Sequence, residues 1–75
     1  MEKAYVLLTV EMGSRREVLN ALDEIPDIKK AHQLYGIYDF IIYVEANTSQ
    51  ELKDLINRIG NIRKIRSTLS LICMK

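Results

Sequence analysis

The sequence repeats itself with a period of 34 residues, and this repeat constrains the fold more than any other feature. It emerges when the chain is aligned with itself without gaps. The matched pairs include Val10 and Val44, Glu11 and Glu45, Glu17 and Glu51, Ile25 and Ile59, Ile28 and Ile62, and Lys30 and Lys64. A chain of 75 residues has too little interior for two separate cores. We therefore expect both copies to share one domain, spanning residues 1–75.

Each copy begins with a strand that is apolar on both faces. Residues 4–11 in the first copy and 38–46 in the second are rich in β-branched and aromatic side chains. Strands of this kind lie in the centre of a sheet, because both of their faces are covered. The two segments are therefore predicted to be central strands.

A helix is predicted to follow each of these strands. Two residue pairs have the spacing of a capping box, in which a hydroxyl and a carboxylate bond free amide groups at a helix start. The pairs are Ser14 with Glu17 and Thr48 with Glu51. Apolar residues then recur at helical spacing in both copies. The first helix is predicted to end before Pro26 and the second at Gly60.

Each copy closes with a second strand. Residues 28–35 are more polar than the central strands, which predicts an edge position. A tight turn at Gly36 and Ile37 would join this strand to the next one as a hairpin. Residues 62–74 contain the alternation of a fourth strand.

Two strand-helix-strand copies in one sheet predict a ferredoxin-like βαββαβ fold of the α+β class. This fold has a four-stranded antiparallel sheet with two helices on one face. The other face would be bare in a monomer, although 48% of the residues are hydrophobic. Packing of two sheets face to face is the simplest cover. We therefore expect a homodimer.

Composition excludes several classes of function. The net charge of +1 offers no overall attraction to nucleic acid or to an anionic membrane. The chain has one cysteine, Cys73, and one histidine, His32. We therefore expect no internal disulfide, metal site or bound cofactor. No apolar run is long enough to span a bilayer, and no catalytic set of residues is recognisable. A cytoplasmic protein that is not an enzyme is the expectation.

Two features remain as candidates for a binding site. The first is the turn Gly36, Tyr38 and Asp39, whose free backbone groups and carboxylate could face a ligand with an ammonium and a carboxylate. The second is the pair Thr68 and Ser70, whose hydroxyls lie on one face of the last strand and could donate to a carboxylate. Each also has a structural interpretation, as a turn that Asp39 stabilises and as a solvated edge strand.

These residues resemble the effector domain of the Lrp/AsnC, or feast/famine, transcription regulators, known as the RAM domain. The residues that carry the resemblance are Ala4-Tyr5-Val6-Leu7, Ile25-Pro26-Asp27-Ile28, Gly36-Ile37-Tyr38-Asp39-Phe40 and Arg66-Ser67-Thr68-Leu69-Ser70. The resemblance covers nearly the whole chain. It implies a dimeric α+β barrel whose dimers assemble further, into octamers in the family, and bind free amino acids where dimers meet.

The resemblance also assigns the site residues. Gly36, Tyr38 and Asp39 match the turn of the family, and Thr68 and Ser70 match its hydroxyl positions, although threonine is more common than serine at Ser70. Full-length regulators carry an N-terminal helix-turn-helix domain. We expect none in residues 1–75, so this chain would modulate transcription by assembling with a full-length regulator or alongside one.

Three other interpretations remain open. A ligand-free module could use the same fold only for oligomerisation, as an adaptor. A small monooxygenase of the dimeric α+β barrel type shares the topology but needs an enclosed pocket with a polar catalytic group. An ACT-type amino-acid sensor has the same strand order and usually a glycine-rich site after its first strand, which Met12-Gly13-Ser14 resembles only faintly.

Overall fold

A computed structural model describes residues 1–74 as one four-stranded antiparallel sheet and two helices. The elements are β1 (Glu2–Val10), α1 (Arg15–Asp23), β2 (Ile28–Gln33), β3 (Phe40–Ala46), α2 (Ser49–Gly60) and β4 (Ile65–Ile72). The strand order in the sheet is β2-β3-β1-β4. The predicted ferredoxin-like fold is confirmed, as are the central positions of β1 and β3 and the edge position of β2.

The core lies between one face of the sheet and the two helices. The central strands contribute alternate residues, which are Ala4, Val6, Leu8 and Val10 from β1 and Phe40, Ile42 and Val44 from β3. Helix α2 contributes Leu52, Leu55 and Ile59 at helical spacing, and α1 contributes Val18 and Leu22. None of the helices within residues 1–74 is long and apolar enough to cross a membrane.

The opposite face of the sheet has no helix on it and carries a band of apolar side chains. In the strand register, Tyr43, Tyr5 and Leu71 form one row across β3, β1 and β4, and Ile41, Leu7 and Leu69 form the next. We call these six residues the sheet patch. The rings of Tyr5 and Tyr43 lie 5.1 Å apart between centroids. The polar side chains of Lys30 and His32 continue the two rows on β2.

The connection between β2 and β3 differs from the predicted two-residue hairpin. Strand β2 ends at Gln33 and β3 begins at Phe40, so the connection spans residues 34–39. Tyr35 and Tyr38, predicted to lie in strands, belong to this loop. The fourth strand also begins later than predicted, at Ile65, because residues 62–64 form a turn.

The two predicted capping boxes have different outcomes. At α2, the Thr48 hydroxyl accepts a hydrogen bond from the Glu51 N–H at 3.1 Å, and the Glu51 carboxylate accepts from the Asn47 N–H at 3.2 Å instead of from Thr48. At α1, the prediction is wrong. Ser14 occupies the capping position, but its hydroxyl donates to the Glu11 carbonyl and bonds no helix amide.

Candidate functional site

The loop of residues 34–39 is closed on itself and attached to β1 by backbone hydrogen bonds. The Leu34 N–H donates to the Asp39 carbonyl at 2.9 Å, and the Asp39 N–H donates to the Leu8 carbonyl at 2.8 Å. Between them, Gly36 has a φ of +119°. A side chain at this position would strain the backbone, which explains why glycine is needed at the exposed tip of the loop.

The side chain of Asp39 joins this loop to both β1 and α1. One carboxylate oxygen accepts the Val10 N–H at 2.8 Å, and the other bonds the Arg15 guanidinium at 2.8 Å. Arg15 also donates to the Leu34 carbonyl at 3.0 Å and to the Asp39 carbonyl at 3.1 Å. We call this set, Asp39, Arg15, Val10 and Leu34, the Asp39 network. Both oxygens of Asp39 therefore already have partners within the chain.

Two neighbouring open clefts lie on one side of the Asp39 network, and a smaller one of about 240 Å³ is lined by Arg15, Gln33, Leu34 and Tyr35. The arginine cleft, of about 450 Å³, is lined by Val10, Glu11, Met12, Gly13, Arg15, Arg16, Asp39 and Arg66. The hydroxyl cleft, of about 420 Å³, is lined by Thr9, Val10, Ile37, Asp39, Arg66 and Ser67. Val10, Asp39 and Arg66 line both, so the two clefts are neighbours. Each has a volume in the range of small-molecule sites in proteins.

Some of the charged residues that line the arginine cleft form ion pairs and others do not. Arg15 pairs with Asp39, and Glu11 pairs with Lys64 at 3.5 Å. Arg16 and Arg66 make no ion pair within residues 1–74. Two of the three arginines that line the cleft therefore have no ion-pair partner in the described part of the chain.

Only one of the predicted site residues lines these clefts. Gly36, Tyr38 and Asp39 lie together in the loop, but of the three only Asp39 contributes to the cleft walls. Thr68 and Ser70 lie opposite Leu8 and Val6 in the register, so their side chains point to the helix face of the sheet. Within a single chain, the structure does not bring the two hydroxyls to the loop.

Arginines 15, 16 and 66 and Ser67 were not assigned a role from the sequence. Arg66 and Ser67 do belong to the segment that resembles the family, and they are neighbours of the predicted hydroxyl positions. The alternation of a strand could have found Ser67, because it faces away from Thr68. Its hydroxyl lies in hydrogen-bond contact with the Thr9 hydroxyl on the bare face of the sheet.

The Tyr43 hydroxyl, on the bare face of the sheet, also has a partner. It donates to the Glu45 carboxylate at 3.0 Å. Partial burial, together with this hydrogen bond and the nearby carboxylate charge, raises the pKa of Tyr43 to about 12. The tyrosine is neutral at physiological pH, and its one O–H proton is already donated to Glu45.

A groove of about 380 Å³ lies away from the Asp39 network, between the start of β1, the end of β3 and α2. Its charged lining is mixed, with Asp27, Glu45, Glu51 and Asp54 beside Lys29 and Arg58. No group of side chains within residues 1–74 has the arrangement of a metal site. The groove differs from the arginine cleft in its excess of carboxylates, four against two cationic side chains.

Comparison with known proteins identifies the type of domain. Residues 3–75 match the family model described as Lrp/AsnC ligand binding domain. The HTH-type transcriptional regulator FL11 of Pyrococcus furiosus is 28% identical over 72 residues, an alignment that covers 96% of this chain and 48% of the regulator. The chain thus spans about half the length of this relative.

Two further proteins are similar to this chain. The homocitrate synthase of Saccharolobus islandicus is 30% identical over 77 residues, covering 99% of this chain but 17% of the enzyme, so the similarity is confined to a small part of that protein. The crystal structure of FFRP-DM1 superposes with a TM-score of 0.95 at 33% identity, covering 99% of this chain and 100% of that one. With a family model that matches nearly its whole length, the chain belongs to the Lrp/AsnC ligand-binding domain family.

Proposed function

We propose that this domain binds a free amino acid beside the loop of residues 34–39 and that binding is coupled to self-assembly. The observation that carries the proposal is the Asp39 network. It holds the loop, β1 and the start of α1 in fixed positions around two open clefts. A preorganised wall of this kind reduces the cost of ordering a site when a ligand binds.

The relatives support sensing over catalysis or DNA contact. Similar segments occur in a protein named as an HTH-type transcriptional regulator and in one named as a homocitrate synthase. These two names describe unrelated activities. A domain that both proteins carry is most simply one that responds to a ligand and passes the response to its neighbour. For this chain, the neighbour would be a full-length regulator of the same family, and the site of action would be the cytoplasm.

Assembly would use the sheet patch. Tyr5, in the middle of the apolar band, is 43% exposed, and Leu69 and Leu71, on the edge strand β4, are 44% and 49% exposed. A contiguous apolar surface on a sheet face favours a second sheet as its cover. A homodimer formed in this way could place two copies of the loop where dimers meet, and higher assembly up to an octamer would follow the pattern of the family.

The first test is a ligand screen. The domain is incubated with each of the twenty amino acids, and the melting temperature and the sedimentation profile are measured. A ligand that binds only the folded, assembled protein raises the melting temperature by mass action, and it shifts the sedimentation profile if it favours one oligomer. A screen without any change in either measurement would favour the ligand-free oligomerisation module.

The second test concerns the sheet patch. Leu71→Lys places a charge on the bare face, and sedimentation velocity is expected to show a shift toward monomer, because an unpaired charge in an apolar interface is costly. Ile72→Lys is the matched control. Ile72 is 51% exposed on the same strand, but its side chain points to the opposite face. Equal effects of the two variants would contradict assembly through the sheet patch.

A further inference from the structure

We propose that the arginine cleft selects a small ligand with two carboxylates, such as an acidic amino acid or a dicarboxylate without an amino group. The inference rests on the proposed function, because it assumes that this end of the domain binds a small molecule. It adds the chemical class of that molecule.

Two arginines that line the cleft are candidates to bind carboxylates. Arg16 and Arg66 approach the same cleft from different elements, since Arg16 is in the first turn of α1 and Arg66 is in β4. Neither has an ion-pair partner among the residues that the structure describes. Guanidinium groups bind carboxylates through short, often bidentate hydrogen bonds. Two of them on separate walls fit two carboxylates better than one.

The carboxylates of the cleft are already engaged with cations of the chain. An amino acid with a neutral side chain brings one ammonium for its one carboxylate, and the ammonium needs an acceptor. The cleft has two carboxylates, but Asp39 is bonded to Arg15 and Val10, and Glu11 is paired with Lys64. An ammonium placed here would approach the unpaired Arg16 and Arg66. A second carboxylate gives the ligand a net negative charge, with or without an ammonium, and this charge complements the two arginines.

The arginine cleft is open and large enough for a small ligand. The cleft of about 450 Å³ adjoins the hydroxyl cleft, and the two share the wall formed by Val10, Asp39 and Arg66. A small ligand at the shared wall would lie beside Arg66 in both clefts, beside Arg16 in the first and beside Ser67 in the second. The Asp39 network keeps the shared wall in place, and its carboxylate and guanidinium cancel in net charge.

The test compares three probes by isothermal titration calorimetry at low ionic strength, where charge interactions are least screened. The probes are glutarate, glutamate and leucine. Glutarate, glutamate or both are expected to bind at least about tenfold more tightly than leucine. The difference between glutarate and glutamate reports whether the amino group contributes. Arg16→Gln and Arg66→Gln are each expected to weaken binding of the dicarboxylate about tenfold or more, and Arg66→Lys to weaken it less.

The matched control is Arg58→Gln. Arg58 is exposed, makes no ion pair within residues 1–74 and lines the other groove, so this variant loses the same charge without touching the arginine cleft. It is expected to bind as the unsubstituted domain does. Circular dichroism and melting curves establish that all variants are folded.

Two kinds of result would overturn the inference. If leucine binds as tightly as glutarate and glutamate, or if Arg16→Gln and Arg66→Gln bind the dicarboxylate without loss, the cleft does not select for two carboxylates, while the proposed amino-acid sensing survives. If no probe and none of the twenty amino acids binds, the proposed function fails together with the inference.

Discussion

The two halves of the repeat start their helices in different ways at equivalent positions. Ser14 and Thr48 are 34 residues apart, and each precedes a helix. Thr48 caps its own helix, whereas Ser14 bonds back to Glu11 and the next residue, Arg15, reaches the loop of residues 34–39. The second half is thus stabilised locally. In the first half, a long-range network replaces the local cap, and it does so at the end of the molecule where the clefts lie.

One contact near the ends of the two helices, by contrast, is repeated, although α2 extends three residues further than α1 relative to the repeat. The Ile28 N–H donates to the Ile25 carbonyl at 3.1 Å, and the equivalent Ile62 N–H donates to the Ile59 carbonyl at 3.1 Å. This contact is therefore kept where no site is proposed. At the start of α1 the two copies of the repeat differ. Departures from local sequence rules are expected at functional sites, so this difference is informative about function.

The largest effect is expected from removing the long-range network. Asp39→Ala should lower the free energy of unfolding by about 2 kcal/mol, because it leaves the Val10 N–H and the Arg15 guanidinium without their charged partner. Urea unfolding measures the loss. Glu51→Ala, which removes an exposed bond to the Asn47 N–H in the second half, should cost much less. Equal losses would mean that the network does not stabilise the first half.

A smaller contrast is expected between the two capping positions. Thr48→Ala should cost about 1 kcal/mol, the usual value of an N-cap. Ser14→Ala should cost about 0.5 kcal/mol, because the Glu11 carbonyl keeps its bond to the Ser14 N–H at 3.1 Å. Thermal melting of both variants tests the order. A larger loss at Ser14 would show that its hydroxyl positions the chain for Arg15.

The smallest effect on stability is expected from the ionisation of Tyr43. This residue occupies the position equivalent to Thr9 on the bare face of the sheet. Each has a bonded hydroxyl, but only Tyr43 titrates. Its folded pKa of about 12 lies above the ordinary 10.0, so between these pH values the folded state holds a proton that the unfolded state has lost. Stability should therefore fall as the pH rises through this window.

The fall should be weaker in Tyr43→Phe, which cannot titrate at this position. Urea unfolding at a series of alkaline pH values measures it, and the ultraviolet absorbance of tyrosinate reports the titration itself. An unchanged pH dependence in Tyr43→Phe would assign the alkaline loss of stability to other groups.

Local patterns were enough to predict most of the fold. The apolar runs of β1 and β3 predicted central strands, because a strand that is covered on both faces consists almost entirely of apolar residues. The connection between β2 and β3 was missed because Tyr35 and Tyr38 have strand-forming side chains, whereas the ends of the strands are set by the bonds of Asp39 to β1 and α1. Such tertiary contacts leave no periodic signal. The late start of β4 depends on Lys64, whose φ of +79° is unusual for lysine and could not be expected from its identity.

The candidate site was less predictable than the fold. The loop was found because glycine, tyrosine and aspartate are unusual together between two strands. The ligand roles of Gly36, Tyr38, Asp39, Thr68 and Ser70 remain predictions. Arg16 and Arg66 could not be identified from the sequence, because an arginine that lines a cleft and one that faces bulk water have the same local pattern. Only the fold places them on two walls of one cleft.

The Asp39 network also has a consequence for how such domains can diversify. It ties the loop to the scaffold through Asp39 and Arg15, while Arg16 and Arg66, which also line the cleft, take no part in these bonds. Substitutions at residues 16 and 66 can therefore change what is recognised at little cost to folding. A biosensor built on this chain could be retuned at these two positions, with the aspartate and its arginine kept constant as the frame.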